Sequence, residues 1–288
     1  MRIHILGSNG LLGTYMREYF NSKQIPTILY GRSTNHQQQQ HPIDIVNPKL
    51  HDLQNGDIAV NCIGMLKPTI KEKGVAAAIQ SNSLFPQLLS NYCKSTYTDV
   101  IQFSSDCVFS GNRSPQAGGY TEKDEPDAND VYGLTKRLGI PDYGMTLRTS
   151  FIGHENRKNS RGLLQWILNS HGTITGYANC LWNGVTCLQL AQIVDKIIQG
   201  GSEGWYDNGV YHIHSPDQVN KYDICRYVNE LYNVGLNVQC VRTRKFMGAA
   251  VNGTLNRCLS SNFELTNRLE IPEIYTQIKE QKEWHESQ

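Results

Sequence analysis

The chain has 288 residues, 39% hydrophobic and 18% charged, with a formal net charge of +1. That is a globular composition, long enough to bury the core of one large or two coupled domains. No run reaches the roughly 18 to 20 apolar residues that cross a bilayer, and basic and acidic residues are mixed without a cationic stripe, so neither membrane nor nucleic acid is expected as a partner.

The eight cysteines are scattered with no C-x-x-C pair, which points to reduced thiols rather than a disulfide framework or zinc cluster. The first seven residues read as a strand, not as a secretory leader, so the expected location is cytoplasmic. His212 and His214 would share a strand face, but without a third ligand they read as ordinary packing and no metal is expected.

In chain order, apolar runs that close on turn residues predict buried strands at Ile3 to Leu6, Thr27 to Tyr30, Ile58 to Asn61, Val100 to Phe103 and Met145 to Arg148. Helical patterns lie between them, as at Leu11 to Ser22 and Val75 to Lys94. Strands alternating with helices imply a Rossmann-type, doubly wound parallel sheet of the α/β class. The Gln37 to Gln40 run, flanked by His36 and His41, reads as a solvated loop without a function. Gly, Asn and Ser become common from Gly153 to Gly162, as in a segment that covers a substrate. A helix from Leu188 to Gln199, a strand from Val210 to His214 and a helix from Lys221 to Tyr232 then suggest a smaller α/β part. The expected organisation is a dinucleotide-binding domain over 1–150, also receiving a segment from about 180–200, and a substrate-binding part over 151–288.

The first strand runs into Gly7-Ser8-Asn9-Gly10-Leu11-Leu12-Gly13, a G-x-x-G-x-x-G turn that opens a helix. Glycines there permit a tight turn and let backbone amides approach a pyrophosphate, while the helix N-terminus adds partial positive charge. After the second strand comes Gly31-Arg32-Ser33 with no acidic residue nearby, so a guanidinium and a hydroxyl favour a 2′-phosphate, and NADPH rather than NADH. Asp44 and Ile45 would bracket the adenine, and the stretch containing Cys62, Ile63 and Gly64 would lie along the ribose and pyrophosphate.

Tyr-x-x-x-Lys sets two side chains one helical turn apart, so that an ammonium can lower a phenol pKa and hold the nicotinamide ribose while the phenol donates a proton. The pattern occurs at Tyr19/Lys23, Tyr132/Lys136 and Tyr275/Lys279. Only Tyr132/Lys136 falls between the fifth and sixth strands, after Ser104-Ser105-Asp106 at a carboxyl strand end, where parallel sheets bind ligands. Ser105 could hold a substrate carbonyl beside the phenol.

Several segments together resemble the extended short-chain dehydrogenase/reductases and, within them, the dTDP-4-dehydrorhamnose reductase family. They are Gly7 to Gly13, Asn82 in Ser81-Asn82-Ser83, Phe103 to Gly111, Tyr120-Thr121-Glu122, Val131 to Lys136 and Leu147-Arg148-Thr149-Ser150. The resemblance implies that Ser105, Tyr132 and Lys136 are catalytic, that Asn82 serves the cofactor site, and that Asp106 contacts a nucleotide-linked 4-keto-6-deoxy-hexose. It also places Trp182 and Arg257 where the family holds the nucleotide sugar, Trp182 by stacking or as core and Arg257 as a diphosphate ligand or a structural residue. The product would be an activated deoxysugar for glycan synthesis, with C2 bearing a hydroxyl or an acetamido group.

Ser105-Asp106-Cys107 stands where dehydratases of the superfamily have Thr-Asp-Glu, so a 4,6-dehydratase is not expected. Cys107 also resembles the thiol of bifunctional 3,5-epimerase/4-reductases, with His154, Lys158 or Arg161 as an opposing acid or base; otherwise it is a small packed residue. A dinucleotide-binding regulatory subunit without catalysis is the third reading. Gly139 and Pro141 should end the Tyr132 helix early, which bears on the homodimer that this helix helps to form in relatives.

Overall fold

The computed structural model describes residues 1–32, 39–155, 162–200, 206–246, 249–250 and 253–288, without the side chains of 245–250. Seven strands form the main sheet: β1 (Ile3–Leu6), β2 (Thr27–Gly31), β3 (Gln40–Pro42), β4 (Ile58–Asn61), β5 (Asp99–Ser105), β6 (Met145–Thr149) and β7 (Gly209–His212), in the order β7-β6-β5-β4-β1-β2-β3. β1 lies between β2 and β4, parallel to both, with Ile3 opposite Thr27 on one side and Ile58 on the other. All four residues of β1 and of β4 are buried, as expected for strands covered on both faces. The order reverses at β1 and β4, which is the position where doubly wound sheets open a crevice at their carboxyl ends.

Helix α1 (Leu11–Ser22) follows β1. The single helix expected over Val75 to Lys94 is broken: α3 (Val75–Ile79), preceded by α2 (Lys67–Lys73), passes through a π-helical turn at Gln80–Leu84 into α4 (Phe85–Ser95). Pro86 explains the break, because it has no amide to give the carbonyl four residues back, at Asn82, and its ring crowds that carbonyl. Phe85 N donates instead to Gln80 O, five residues back. Helix α5 (Val131–Leu138) ends on Gly139, where a Cβ would stand 1.8 Å from Asn82 O. The helix therefore stops against the Asn82 carbonyl, to which Pro86 cannot donate.

Contacts divide the chain into two units, one comprising Met1–Val108, Pro126–Arg148 and Leu190–Tyr211, the other Phe109–Glu125, Thr149–Gln189 and His212–Gln288. One expectation needs correction: the strand predicted at Val210 to His214 does not belong to the smaller part but forms the edge β7 of the main sheet. Gly209 N donates to Gly144 O at 3.1 Å, and Tyr206 OH both accepts from Val100 N and donates to Val100 O. Those bonds occupy backbone groups beside β5 and β6 that an uncovered edge would leave open.

The second unit holds short sheets, among them Cys180–Trp182 between Val219–Asn220 and Leu255–Asn256, and Thr173–Tyr177 paired with Asn237–Val241. Its core gathers Ile152, Leu164, Ile167, Trp182, Ile224, Val228, Ile274 and Ile278. No helix among the described residues is long and apolar enough to cross a membrane.

Candidate active site

The glycine turn is built as a close approach of α1 to β1. Gly7 has φ +80°, a left-handed value that a side chain strains. A Cβ on Gly13 would meet Gly7 O at 2.1 Å, so no larger residue lets the helix sit this near the strand. Gly7 N and Ser8 N both donate to Tyr30 O, at 2.9 and 3.0 Å, tying the turn to the end of β2. Helix α1 starts at Gly10 without a side-chain cap, which leaves its first amides available to an anion. Leu12 is buried under the turn, while Asn9 is exposed and Leu11 half-buried.

Other residues expected to serve a dinucleotide sit at neighbouring strand ends. Cys62, Ile63 and Gly64 follow β4, where Asn61 Oδ1 accepts from Ile63 N at 2.9 Å, and burial raises the Cys62 thiol pKa. Asn82 is 1% exposed; its Oδ1 accepts from Met65 N at 2.7 Å, and its Nδ2 donates to Met65 O and to Thr135 Oγ1. A Cβ on Gly64 would lie 3.7 Å from both Asn82 Oδ1 and Lys136 Nζ, so the backbone at Gly64 faces two polar groups. Arg32 is exposed just past β2, and Ser33 lies outside the described residues. Asp44 is exposed and accepts from Val46 N, whereas Ile45 packs against the core of the main sheet. The bare helix N-terminus, the left-handed Gly7 and the open backbone at Gly64 fit a dinucleotide.

Gln40 went unseen in the sequence. It is 3% exposed, and its Oε1 accepts from Asn9 Nδ2 at 2.7 Å and Ser8 Oγ at 3.1 Å. The expected solvated loop is corrected at this residue, because the run of glutamines ends inside β3. Its compositional bias concealed the alternation by which a strand is read.

Ser105 ends β5 and is 6% exposed; its Oγ donates to Asp106 Oδ1 at 3.1 Å and accepts from Cys107 N at 3.1 Å. Tyr132 is half-buried in the first turn of α5, with Ser105 beside its phenol. Burial raises the phenol pKa, the nearby Cys107 adds to the rise, and the Ser105 hydroxyl offsets part of it. Lys136 is 8% exposed and burial lowers its pKa to about 8. Its Nζ donates to Phe103 O at 2.7 Å. The phenol is thus governed by burial and Ser105, whereas the ammonium is anchored on the backbone of β5.

Asp130 fixes this helix. Its Oδ1 accepts from Tyr132 N at 3.0 Å and Gly133 N at 3.1 Å, and its Oδ2 pairs with Lys67 Nζ at 3.0 Å. Lys67 Nζ also lies 5.9 Å from the centre of the Tyr132 ring. Gly133 is needed for approach, since a Cβ there would be 2.5 Å from Cys107 O. Asp106 is buried, and Cys107 is half-buried and in no disulfide.

The remaining candidates belong to the second unit. Trp182 is 3% exposed within the core, Nε1 donates to Ser150 Oγ at 2.8 Å, and Lys221 Nζ lies 4.5 Å from the ring centre. Arg257 is 8% exposed and donates from Nε to Phe109 O and from Nη2 to Ser110 O, pinning that segment. Burial alone would raise Glu122, but bonds from Ser261 Oγ, Asn262 N and His212 N hold its pKa below the usual value. His212 Nδ1 sits 2.9 Å from the carbonyls of Tyr120 and Ser260, and His214 Nδ1 donates to Ser215 O. His154 is hydrogen-bonded to Tyr232 OH at 2.9 Å and stacked on His285; Lys158 and Arg161 lie outside the described residues.

The two other copies of the tyrosine motif are engaged elsewhere. Tyr19 OH donates to Asp195 Oδ2 at 2.9 Å, and Tyr275 packs on Tyr227 with ring centres 4.4 Å apart.

Comparison with known proteins gives a consistent picture. A dTDP-4-dehydrorhamnose reductase of Streptomyces griseus is 31% identical over 104 residues, 33% of either chain. The chain spans 33% and 60% of the lengths of the two curated relatives it matches. The crystal structure of a dTDP-4-dehydrorhamnose reductase from Clostridium acetobutylicum shares the fold, with TM-score 0.77 at 20% identity over 99% of this chain and 100% of that one. So does the dTDP-4-dehydrorhamnose reductase of Bacillus anthracis in complex with NADP, with TM-score 0.74 at 19% identity over 98% of each chain. Residues 1–282 match the family described as RmlD substrate binding domain, and the chain belongs to that family, the dTDP-4-dehydrorhamnose reductase group whose motifs it carries.

Proposed function

We propose that the chain is an NADPH-dependent reductase of a nucleotide-linked 4-keto-6-deoxy-L-hexose of the 4-dehydrorhamnose type, making an activated deoxysugar for glycan synthesis. One observation carries this reading: Lys136, one helical turn after Tyr132, is buried with its Nζ on Phe103 O of β5 at 2.7 Å and facing Gly64, in the same unit as Ser105 and the glycine turn. The reduced nicotinamide, when bound, supplies hydride to the sugar carbonyl carbon.

The chain's own residues then handle orientation and the proton. The Tyr132 phenol, whose pKa burial raises above its ordinary value, is protonated at neutral pH and holds the proton that the carbonyl oxygen takes up. Ser105 is fixed by Asp106 and Cys107 N, and would align that oxygen beside the phenol. Lys136 and Asn82 face Gly64 and would receive the nicotinamide ribose. NADPH is preferred because Arg32 follows β2 with no carboxylate beside it. The Bacillus anthracis relative bound to NADP supports a nicotinamide dinucleotide. Arg257 would serve the diphosphate chiefly by ordering residues 109 and 110, and the burial of Trp182 favours its core role.

The test is NADPH consumption with a panel of nucleotide-linked 4-keto-6-deoxy-sugars, with C2 hydroxyl and C2 acetamido members and products identified by NMR. Tyr132→Phe should retain NADPH binding and lose turnover; a variant with full turnover refutes the assignment. A second reading, 3,5-epimerase/4-reductase, is favoured by the half-buried Cys107 thiol close to Tyr132. It requires solvent deuterium at sugar C3 or C5 that disappears in Cys107→Ser.

A further inference from the structure

Doubly wound sheets that bind NAD place an acidic side chain at the end of the second strand, where it holds the adenosine 2′-hydroxyl. In this chain β2 ends on Gly31, which has no side chain to offer. The space is nevertheless filled. A Cβ on Gly31 would stand 2.3 Å from Gln40 Nε2 and 2.8 Å from Gln40 Oε1, so the Gln40 carboxamide occupies the place of the missing group.

The carboxamide is also oriented. Oε1 accepts from Asn9 Nδ2 at 2.7 Å and from Ser8 Oγ at 3.1 Å, while Arg17 Nη1 donates to Asn9 Oδ1 at 3.2 Å and steadies that contact. With its oxygen committed to the glycine turn, the amide directs its N–H side toward Gly31. At 3% exposure the side chain has little room to rotate.

We propose that Gln40 selects the phosphorylated dinucleotide: reaching from β3 into the space of the absent residue-31 side chain, it sets a neutral N–H donor where NAD-dependent sheets set a carboxylate. A carboxylate there accepts from a 2′-hydroxyl and repels a 2′-phosphate. An amide N–H reverses that preference and leaves Arg32 unopposed as the phosphate's cation. This inference rests on the NADPH reading above and adds the residue that enforces it.

The experiment measures dissociation constants of NADPH and NADH for the full chain by fluorescence titration, with no sugar present. Gln40→Glu keeps an acceptor for Ser8 and Asn9 while adding a charge. The ratio of NADPH to NADH affinity should fall roughly tenfold or more, the scale of one unfavourable charge pair in a partly solvated site. Asn9→Ala changes an exposed residue, releases the amide oxygen, and should lower the same ratio by a smaller factor. If Gln40→Glu does not fold, Asn9→Ala decides alone. An unchanged ratio in the folded variants overturns the role of Gln40. Wild-type protein that binds neither nucleotide, or favours NADH, overturns the NADPH reading instead.

Discussion

Replacing Asp130 by alanine removes two restraints from the helix that carries Tyr132. Asp130 Oδ1 takes hydrogen bonds from Tyr132 N and Gly133 N, and helix α5 has only eight residues, too few to stand without its cap and packing. Losing an aspartate cap costs about 1 kcal/mol, within a range of roughly 0.5 to 2. The Lys67 ion pair, whose side chains are 21% and 39% exposed, adds at most about 1 kcal/mol. A total near 1.5 kcal/mol should lower Tm by about 3 to 6 °C. Asp130→Asn retains an acceptor that caps as well as aspartate and loses only the ion pair, so it should keep most of that stability. Lys67→Met isolates the ion pair from the cap. Urea denaturation ranks the three variants, and steady-state NADPH oxidation reports whether the freed helix start misplaces the phenol. Equal destabilisation by alanine and asparagine would show that the cap is not what holds this helix.

Three further outcomes follow from the same geometry. Gly13→Ala must move backbone, since its Cβ would lie 2.1 Å from Gly7 O; we expect a loss of about 1 to 3 kcal/mol and markedly weaker NADPH binding, read by denaturation and titration. Ser105→Ala removes the hydroxyl beside the Tyr132 phenol and the acceptor for Cys107 N, and should cut kcat about 100-fold or more with little change in NADPH affinity, measured by kinetics and fluorescence. Burial lowers Lys136 from 10.5 to about 8, so kcat/KM should fall as pH rises through 8, and Lys136→Arg should move that limb upward if it folds. The stability counterpart has the opposite sign. Between pH 8 and 10.5 the unfolded chain binds a proton that the native state has released, so wild type should gain stability relative to Lys136→Met as pH rises across that window.

Much of this arrangement is legible in the residues, because buried parallel strands announce themselves as short apolar runs. β1 and α1 have the bounds their patterns predict, and the turn between them follows from glycine spacing alone. What escapes a linear reading depends on distant partners. The helix predicted over 75 to 94 runs through the polar stretch Gln80 to Ser83, and its π turn arises because Pro86 has no amide for the Asn82 carbonyl, against which Gly139 packs. The strand at Gly209–His212 reads as part of a local α/β unit until Tyr206 and Gly144 are seen to tie it to the main sheet. Gln40 has no pattern to betray it, as its meaning comes from the side chain that Gly31 lacks.

The three Tyr-x-x-x-Lys pairs show why a short motif needs its surroundings. In each, the helix brings phenol and amine to one face, so local geometry is common to all three. Their differences lie in where the polar atoms end. Tyr19 gives its hydroxyl to buried Asp195; burial first and then that carboxylate raise the phenol pKa and leave the group as an anchor. Lys279 pairs with Glu283 at 3.8 Å on an exposed helix face, so that amine is spent in solvent. Tyr132 meets Ser105 at a carboxyl strand end, while Lys136 is drawn inward to Phe103 O and sheds part of its hold on the proton through burial. Chemistry needs that cost: a lysine buried to 8% exposure is expensive to keep, and it stands beside the glycine turn rather than on an outer helix face.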